Sequence, residues 1–411
     1  MSEAATESDP VAFNPFEPGF FEDPYRQYAV LREHDPVHRS PLEVWVLFRY
    51  DDIVGVLRDP SLSVQVDNAT PTARMQLFAE QAPAEAQERG AHSILNVDPP
   101  DHTRLRRLVS KAFTPKMVHE LRPRIQELVD DALETMAARG EADVIGDLAF
   151  PLPFTVISEM LGMPDGNRDE ARGWSHTLTK TLDPILSPEE VQDALVAADN
   201  MQAHIQDVLA WKRDHPAGDL LTALLAAEDE GDRLSEVELL DQILLLYVAG
   251  HETTVNLIGN ATLALLGHPD QLARLRSAPE LDAGAVEELL RYDSPVQFSR
   301  RITTAALQVD GKTIPAGTFT LTCLGSANHD DARWGPTADE LDVTRPDAGQ
   351  HMSFGSGIHH CLGSSLARTE AQVAIGTLVR RFPDLALAGE PERNGRVVLR
   401  GLESLPVTVG S

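Results

Sequence analysis

The chain has 411 residues, of which 42% are apolar and 24% charged, the balance of a folded globular protein with material for a large core. Its 64 acidic and 35 basic side chains leave a formal charge of −29, which excludes binding nucleic acid or an anionic membrane over any broad face and leaves room only for a local basic patch. Two cysteines, Cys323 and Cys361, are too few for a disulfide framework and fit a reducing cytoplasm.

Residues 1–20 are acidic and lack a basic segment followed by an apolar one, so they read as a loosely ordered lead-in without a secretory leader. Short β-type runs at 44–48 and 62–66 flank the helix-like DDIVGVLRDP. Residues 67–90, rich in Ala, Gln, Glu and Pro, form a weak core and read as a loop or lid. Helical patterns then dominate over 101–113, 116–138, 154–162, 188–213, 235–267, 269–276, 282–292 and 363–381. Pro115, Pro123, Pro164, Pro188, Pro269 and Pro295 stand at or near their ends. The apolar stretch 239–266 contains Asp241, His251, Glu252, Asn256 and Asn260, so it is expected inside protein rather than lipid. β signals return at 302–309, 318–323 and 396–409, with turns at Asp310-Gly311 and Pro315-Ala316-Gly317. The outline is mainly α with small β-sheets, and nothing marks a domain boundary between residues 21 and 411.

The densest chemistry is Phe354-Gly355-Ser356-Gly357-Ile358-His359-His360-Cys361-Leu362-Gly363. Its glycines let the backbone turn sharply and approach a flat ligand. A strong helical pattern follows, so Cys361 stands near a helix N-terminus, where free N–H groups favour thiolate. A lone cysteine is otherwise a small buried hydrophobe. A phosphatase nucleophile would need an arginine after five residues, whereas six separate Cys361 from Arg368. Zinc would need further ligands, and no second cysteine lies in the loop. A single thiolate ligand to haem iron remains. The segment resembles the haem-binding loop of the cytochrome P450 family, Phe-Gly-x-Gly-x-His-x-Cys-x-Gly, and matches it at Phe354, Gly355, Gly357, His359, Cys361 and Gly363.

That resemblance extends along the chain and implies a single cytochrome P450-type domain over 21–411, similar to soluble bacterial members. Ala249-Gly250-His251-Glu252-Thr253-Thr254 interrupts an apolar helix. Alone, it reads as a bend in which Thr253 bonds back to the Ala249 carbonyl. The resemblance makes it the oxygen-binding helix, with Glu252 relaying protons, Thr253 bonding dioxygen and His251 a packing or solvent-channel residue. His102, Arg106, Val109 and Phe113 share one helix face. The resemblance assigns His102 and Arg106 to the haem propionates, together with Arg301 (with Arg300 as rival) and His359. Arg104, Arg107 and Lys111, on the opposite side, read either as solvated surface or as a docking patch for an acidic electron carrier. Glu288 and Arg291 match the family's structural Glu-x-x-Arg pair. The arginine that commonly completes that network would align with Glu340, and His351 is the expected substitute.

The resemblance thus implies haem b (iron protoporphyrin IX) on Cys361 and hydroxylation or epoxidation of a lipophilic small molecule such as a macrolide, terpenoid or steroid. Electrons would come from a ferredoxin and its reductase, since the fold leaves no room in 411 residues for a flavin module. The expected setting is a cytoplasmic monomer without membrane anchor or nucleic acid. The pocket is expected along 67–97, 163–187, Leu246, Ala249, Gly250, Val296, Phe298 and Leu402. A peroxide-driven or phenol-coupling oxidase shares the same site. A non-catalytic haem carrier or sensor would have no use for the Glu252–Thr253 pair.

Overall fold

The computed structural model describes residues 12–40, 44–71, 89–164, 168–183, 186–229 and 231–410. Its axis is one helix of 32 residues, Glu236–Gly267, opened by a capping box between Ser235 and Glu238. Positions 254–262 of this helix are all buried. It packs against Pro151–Leu161, Pro188–Asp214, Asp282–Tyr292 and Ser364–Arg381. A helical segment covered on all sides can be apolar all round, which explains the hydropathy of 254–262. Among the described residues, no helix is long and apolar enough to cross a membrane.

The helices expected from periodicity are present within a few residues. Tyr25–His34, Arg168–Thr179 and Leu220–Ala226 join them without having been foreseen. The second of these is mostly polar, and its buried stripe reduces to Ala171, Ser175 and Thr179, too little apolar surface to stand out in sequence.

The main sheet has four strands in the order Val37–Arg39, Trp45–Leu47, Phe319–Cys323, Phe298–Ile302, with only the middle pair parallel. The expected strand at 62–66 is reduced to a bridge between Ser63 and Ile302, followed by a turn at Val66–Asn68. The Asp98 carboxylate causes this: it accepts the Ser63 hydroxyl at 2.5 Å and the Val64 N–H at 2.9 Å, bending the chain from the sheet. Residues 1–11 of the expected lead-in and 72–88 of the expected lid lie outside the described residues. Phe13 and Phe20 pack into an aromatic cluster with Tyr28, Phe48 and Phe298. The chain after position 88 is tied to the central helix, where Asp241 accepts the N–H groups of Gly90 (3.1 Å) and His92 (2.9 Å).

Glu288 and Arg291 form a fully buried fork, with Nε to Oε2 at 2.7 Å and Nη2 to Oε1 at 2.9 Å. Arg291 also donates to the carbonyls of Asn328 (2.7 Å), Ala338 (2.6 Å) and Glu340 (2.8 Å). The third member is Arg345, whose Nε donates to both Glu288 oxygens at 3.2 and 3.1 Å. His351 is therefore not the substitute; it bonds Glu287 at 3.2 Å. Glu340 supplies only its backbone carbonyl, because the turn after it carries the side chain five residues later back to Glu288.

Glu287 also accepts a fork from Arg368, at 2.6 and 2.9 Å. Burial opposes its ionisation, but His351 and Arg368 win and hold it at about 2, below its ordinary 4.5. The unfolded chain therefore takes up the proton first, so this stabilisation is complete above about 4.5 and lost as pH falls toward 2. His351, pushed down by burial, starts the decline below its ordinary 6.5. Denaturant midpoints measured across acid pH should fall through this window, and Glu287→Gln should flatten the lower limb while lowering stability at neutral pH.

Candidate active site

The loop before the C-terminal helix Ser364–Arg381 is shaped by backbone bonds. The Cys361 N–H donates to the Phe354 carbonyl at 3.0 Å, and the Gly355 N–H to Met352 at 2.8 Å. Gly357 sits at φ +73°, and a Cβ there would collide with the Leu57 carbonyl oxygen, so glycine is required. Cys361 is solvent-accessible, yet protein crowds its sulfur enough that desolvation is the largest influence and raises its pKa. The N–H groups of Gly363 and Ser364 and the charges of Arg106 and Arg368 pull it back. These are the surroundings of a sulfur that becomes thiolate when a cation binds it.

Beside the loop, four bases from three parts of the chain converge. His102 and Arg106 come from the helix Asp101–Ala112, Arg301 from the strand Phe298–Ile302, and His359 from the loop itself. The His102 and His359 rings lie 4.3 Å apart, and Arg106 donates to the His360 carbonyl at 2.6 Å. Arg301 donates to the Arg300 and Leu57 carbonyls at 2.7 and 3.4 Å, whereas the rival Arg300 turns away to Asn96 at 2.9 Å. Burial and the neighbouring cations push His359 down to about 3. Arg301 falls to about 10, through burial and Arg300 against the opposing charge of Asp98.

Among the described residues none of the four has a carboxylate partner, and the buried Nε2 of His102 has no partner at all. Asp98 lies near, but its oxygens are taken by Ser63 and Val64. A cluster of this kind suits a ligand bearing two carboxylates. The donor set therefore fits a haem: one sulfur for the iron and four bases for the propionates.

On the central helix, Thr253 donates its hydroxyl to the Ala249 carbonyl at 3.3 Å, the back-bond expected from sequence. A Cβ on Gly250 would lie 3.1 Å from Ile157, so the glycine lets a second helix approach closely. His251 is fully buried; its Nδ1 bonds the Tyr247 carbonyl at 2.9 Å and its ring packs on Phe150 and Phe154. Glu252 is buried, with Oε1 3.5 Å from His176 and 3.6 Å from Arg396, while Oε2 has no partner. Burial would raise its pKa, but the hydrogen bond from His176 and the charges of His251 and Arg396 hold it below the usual range.

Leu246, Ala249, Gly250 and Thr253 share one face of the helix and are partly or fully exposed. Phe298 does not join them: its ring lies 5.5 Å from Phe13 and 5.9 Å from Tyr28, in the aromatic cluster. Leu402 packs in the main core, within reach of Gly259 and nine residues along the helix from Gly250. Strand alternation explains the first case and helix rise the second. Val296 is half-buried and bridges to Leu399. Arg104 is taken up by ion pairs to Asp232 and Glu238, which removes it from the expected docking patch.

Two acid-bearing features were missed from sequence. His176 lies in the unforeseen helix. Glu370 is fully buried with neither carboxylate oxygen bonded, and burial holds it well above the usual range, partly offset by Thr254. Its signal was legible, since Leu366, Glu370, Val373 and Ala374 share one buried helical stripe.

The comparisons with known proteins agree with this arrangement. The cytochrome P450 family model matches residues 78–282 and 279–393. The chain is 46% identical over 405 residues to cytochrome P450 107B1 of Saccharopolyspora erythraea, covering 96% of this chain and 97% of that one. It is 43% identical to a vitamin D(3) 25-hydroxylase of Pseudonocardia autotrophica, covering 95% of each. The solved structure of PksS from the bacillaene polyketide synthase of Bacillus subtilis 168 superposes with a TM-score of 0.88 at 36% identity, over 97% of this chain and 100% of that one. A family match across most of the length, on this fold, makes the protein an oxidoreductase: the chain belongs to the cytochrome P450 family of haem-iron monooxygenases.

Proposed function

We propose that the protein binds haem b through Cys361 and oxygenates a lipophilic small molecule, drawing electrons from a ferredoxin. The observation that carries the reading is the pairing of an accessible cysteine with four buried or half-buried bases that, among the described residues, lack a carboxylate partner. When bound, haem supplies dioxygen activation, for which a thiolate ligand favours O–O cleavage. The residues of the chain do the rest. Arg106, His102, Arg301 and His359 would hold the propionates. Thr253 places a hydroxyl on the part-exposed face of the central helix, and Glu252 beside it, a carboxylate at rest, takes up and relays a proton for delivery there. Leu246, Ala249 and Gly250 offer that face an apolar wall, which suits a hydrocarbon-rich substrate and excludes water. The relative named for vitamin D(3) hydroxylation is consistent with a substrate of that polarity.

Both cysteines are free, in keeping with a reducing cytoplasm. A local basic patch that steers an acidic carrier is part of this reading, so the rate of electron delivery should fall as ionic strength rises. The central test is a ligand screen by haem difference spectroscopy followed by turnover with the best binder. Apolar polycyclic or macrocyclic compounds should give the spectral change of a displaced iron-bound water; a screen answered only by small charged compounds would refute the substrate class. Arg106→Gln should weaken haem retention by about 1.5–3 kcal/mol, roughly ten- to a hundredfold, as measured by haem transfer to apomyoglobin. Thr253→Ala should leave haem binding intact and divert electrons from product to peroxide. An unchanged ratio of peroxide to product would remove Thr253 from the proposal.

A further inference from the structure

Glu252 is buried, so each proton it gives up has to be replaced by a group that reaches both its carboxylate and solvent. Three charged or titratable groups face it: His251 from its own helix, His176 from the helix Arg168–Thr179, and Arg396 from the C-terminal segment. Arg396 cannot give up a proton at neutral pH. His251 is fully buried among Phe150, Phe154 and Tyr247, and its Nδ1 is committed to the Tyr247 carbonyl. Among the described residues, His176 alone of these three spans the gap: its side chain is 34% exposed, and its Nδ1 lies 3.5 Å from Glu252 Oε1.

Its orientation is held as well. Arg396 Nη2 lies 3.1 Å from His176 Nε2, and its Nη1 donates to the Thr179 hydroxyl at 2.6 Å. That hydroxyl in turn donates to the His176 carbonyl at 2.8 Å. The same Nη2 lies 3.4 Å from His176 Nδ1, so Arg396 meets both ring nitrogens and fixes the place of the ring rather than its tautomer.

From this geometry we infer that His176 supplies protons to Glu252 from solvent, with Arg396 and Thr179 holding the ring in place. The step balances simply. His176, as imidazolium, passes its Nδ1 proton to the Glu252 carboxylate, Glu252 passes a proton on to the reaction, and a hydronium ion or buffer acid in solvent returns one proton to the neutral imidazole. No electrons move. His176 is a positioning and supplying residue that acts through Glu252, and the inference rests on the proton role proposed for that acid.

The test uses haem-loaded protein and two readouts. The first is the infrared carboxyl band of Glu252, identified by its loss in Glu252→Gln and followed against pH. The second is peroxide released per electron consumed, measured with the best binder of the ligand screen. In His176→Phe the carboxyl band should appear at higher pH than in the parent, because the hydrogen bond that holds Glu252 ionised is gone. His176→Gln keeps a donor toward Glu252 but cannot carry a proton. Its band should titrate close to the parent's, while product formation falls about a hundredfold and peroxide rises. Parental coupling in His176→Gln would reduce His176 to a structural hydrogen bond and overturn the inference, as would an unmoved band in His176→Phe. If Glu252→Gln itself couples normally, the proton role of Glu252 fails, and that result is distinct from the other two.

Discussion

Exchanging Cys361 for serine should abolish turnover to background while leaving the protein folded. The loop is held by the Cys361 N–H to Phe354 bond, the Gly355 turn and the close packing of Gly357 on Leu57, none of which involves the sulfur. Stability without haem should therefore change by less than about 1 kcal/mol, the range of surface and isosteric changes. What is lost is the only thiolate the site offers: the other cysteine, Cys323, is fully buried in the aromatic cluster, and burial pushes its thiol far up. The measurement is the spectrum of the reduced, carbon-monoxide-treated protein. The parent should show the red-shifted band of thiolate ligation and the variant should not. A variant that kept the band would place the iron elsewhere.

Arg291→Ala should be the most damaging change outside the binding site. The arginine and Glu288 are both fully buried, and removing one partner of such a pair costs about 3–5 kcal/mol. The carbonyls of Asn328, Ala338 and Glu340 lose their donor as well. Against a total stability of about 5–15 kcal/mol, this loss should leave little folded haem protein at 37 °C. Differential scanning calorimetry and the yield of haem-loaded protein report it directly. Arg345→Ala should be the next most harmful, since it leaves Glu288 with one cation instead of two. His351→Asn should cost less than Arg345→Ala because it touches Glu287, which keeps its Arg368 fork. The reverse order would restore His351 as the third member of the network.

The local features legible along the chain share one property: each is written within a few residues. Ser235 with Glu238 caps the central helix, and the glycines around Cys361 turn the loop before the next helix. The His102–Arg106 spacing puts both bases on one helical face. The 3.6-residue period placed the long helices within a few residues of their observed ends. The same rule could have found Glu370, which lies on the buried stripe of its helix.

Where distant segments meet, local patterns say nothing. Alternation along Phe298–Ile302 leaves two faces equally suited to a pocket, and the packing of Phe13, Tyr28 and Phe48 decided that Phe298 turns to the core. Arg345 reaches Glu288 across 57 residues, and Asp98 bends the chain away from an otherwise plausible strand at 62–66. His176 sits in a helix too polar to announce itself, 76 residues before the acid it contacts.

Covalent neighbours therefore dictated the helices, their caps and the sulfur-bearing turn, because capping bonds and glycine torsions act over one or two turns of chain. The partners of each buried charge were settled only on folding, because a desolvated ion takes whichever complementary group the packing of remote segments brings within about 4 Å.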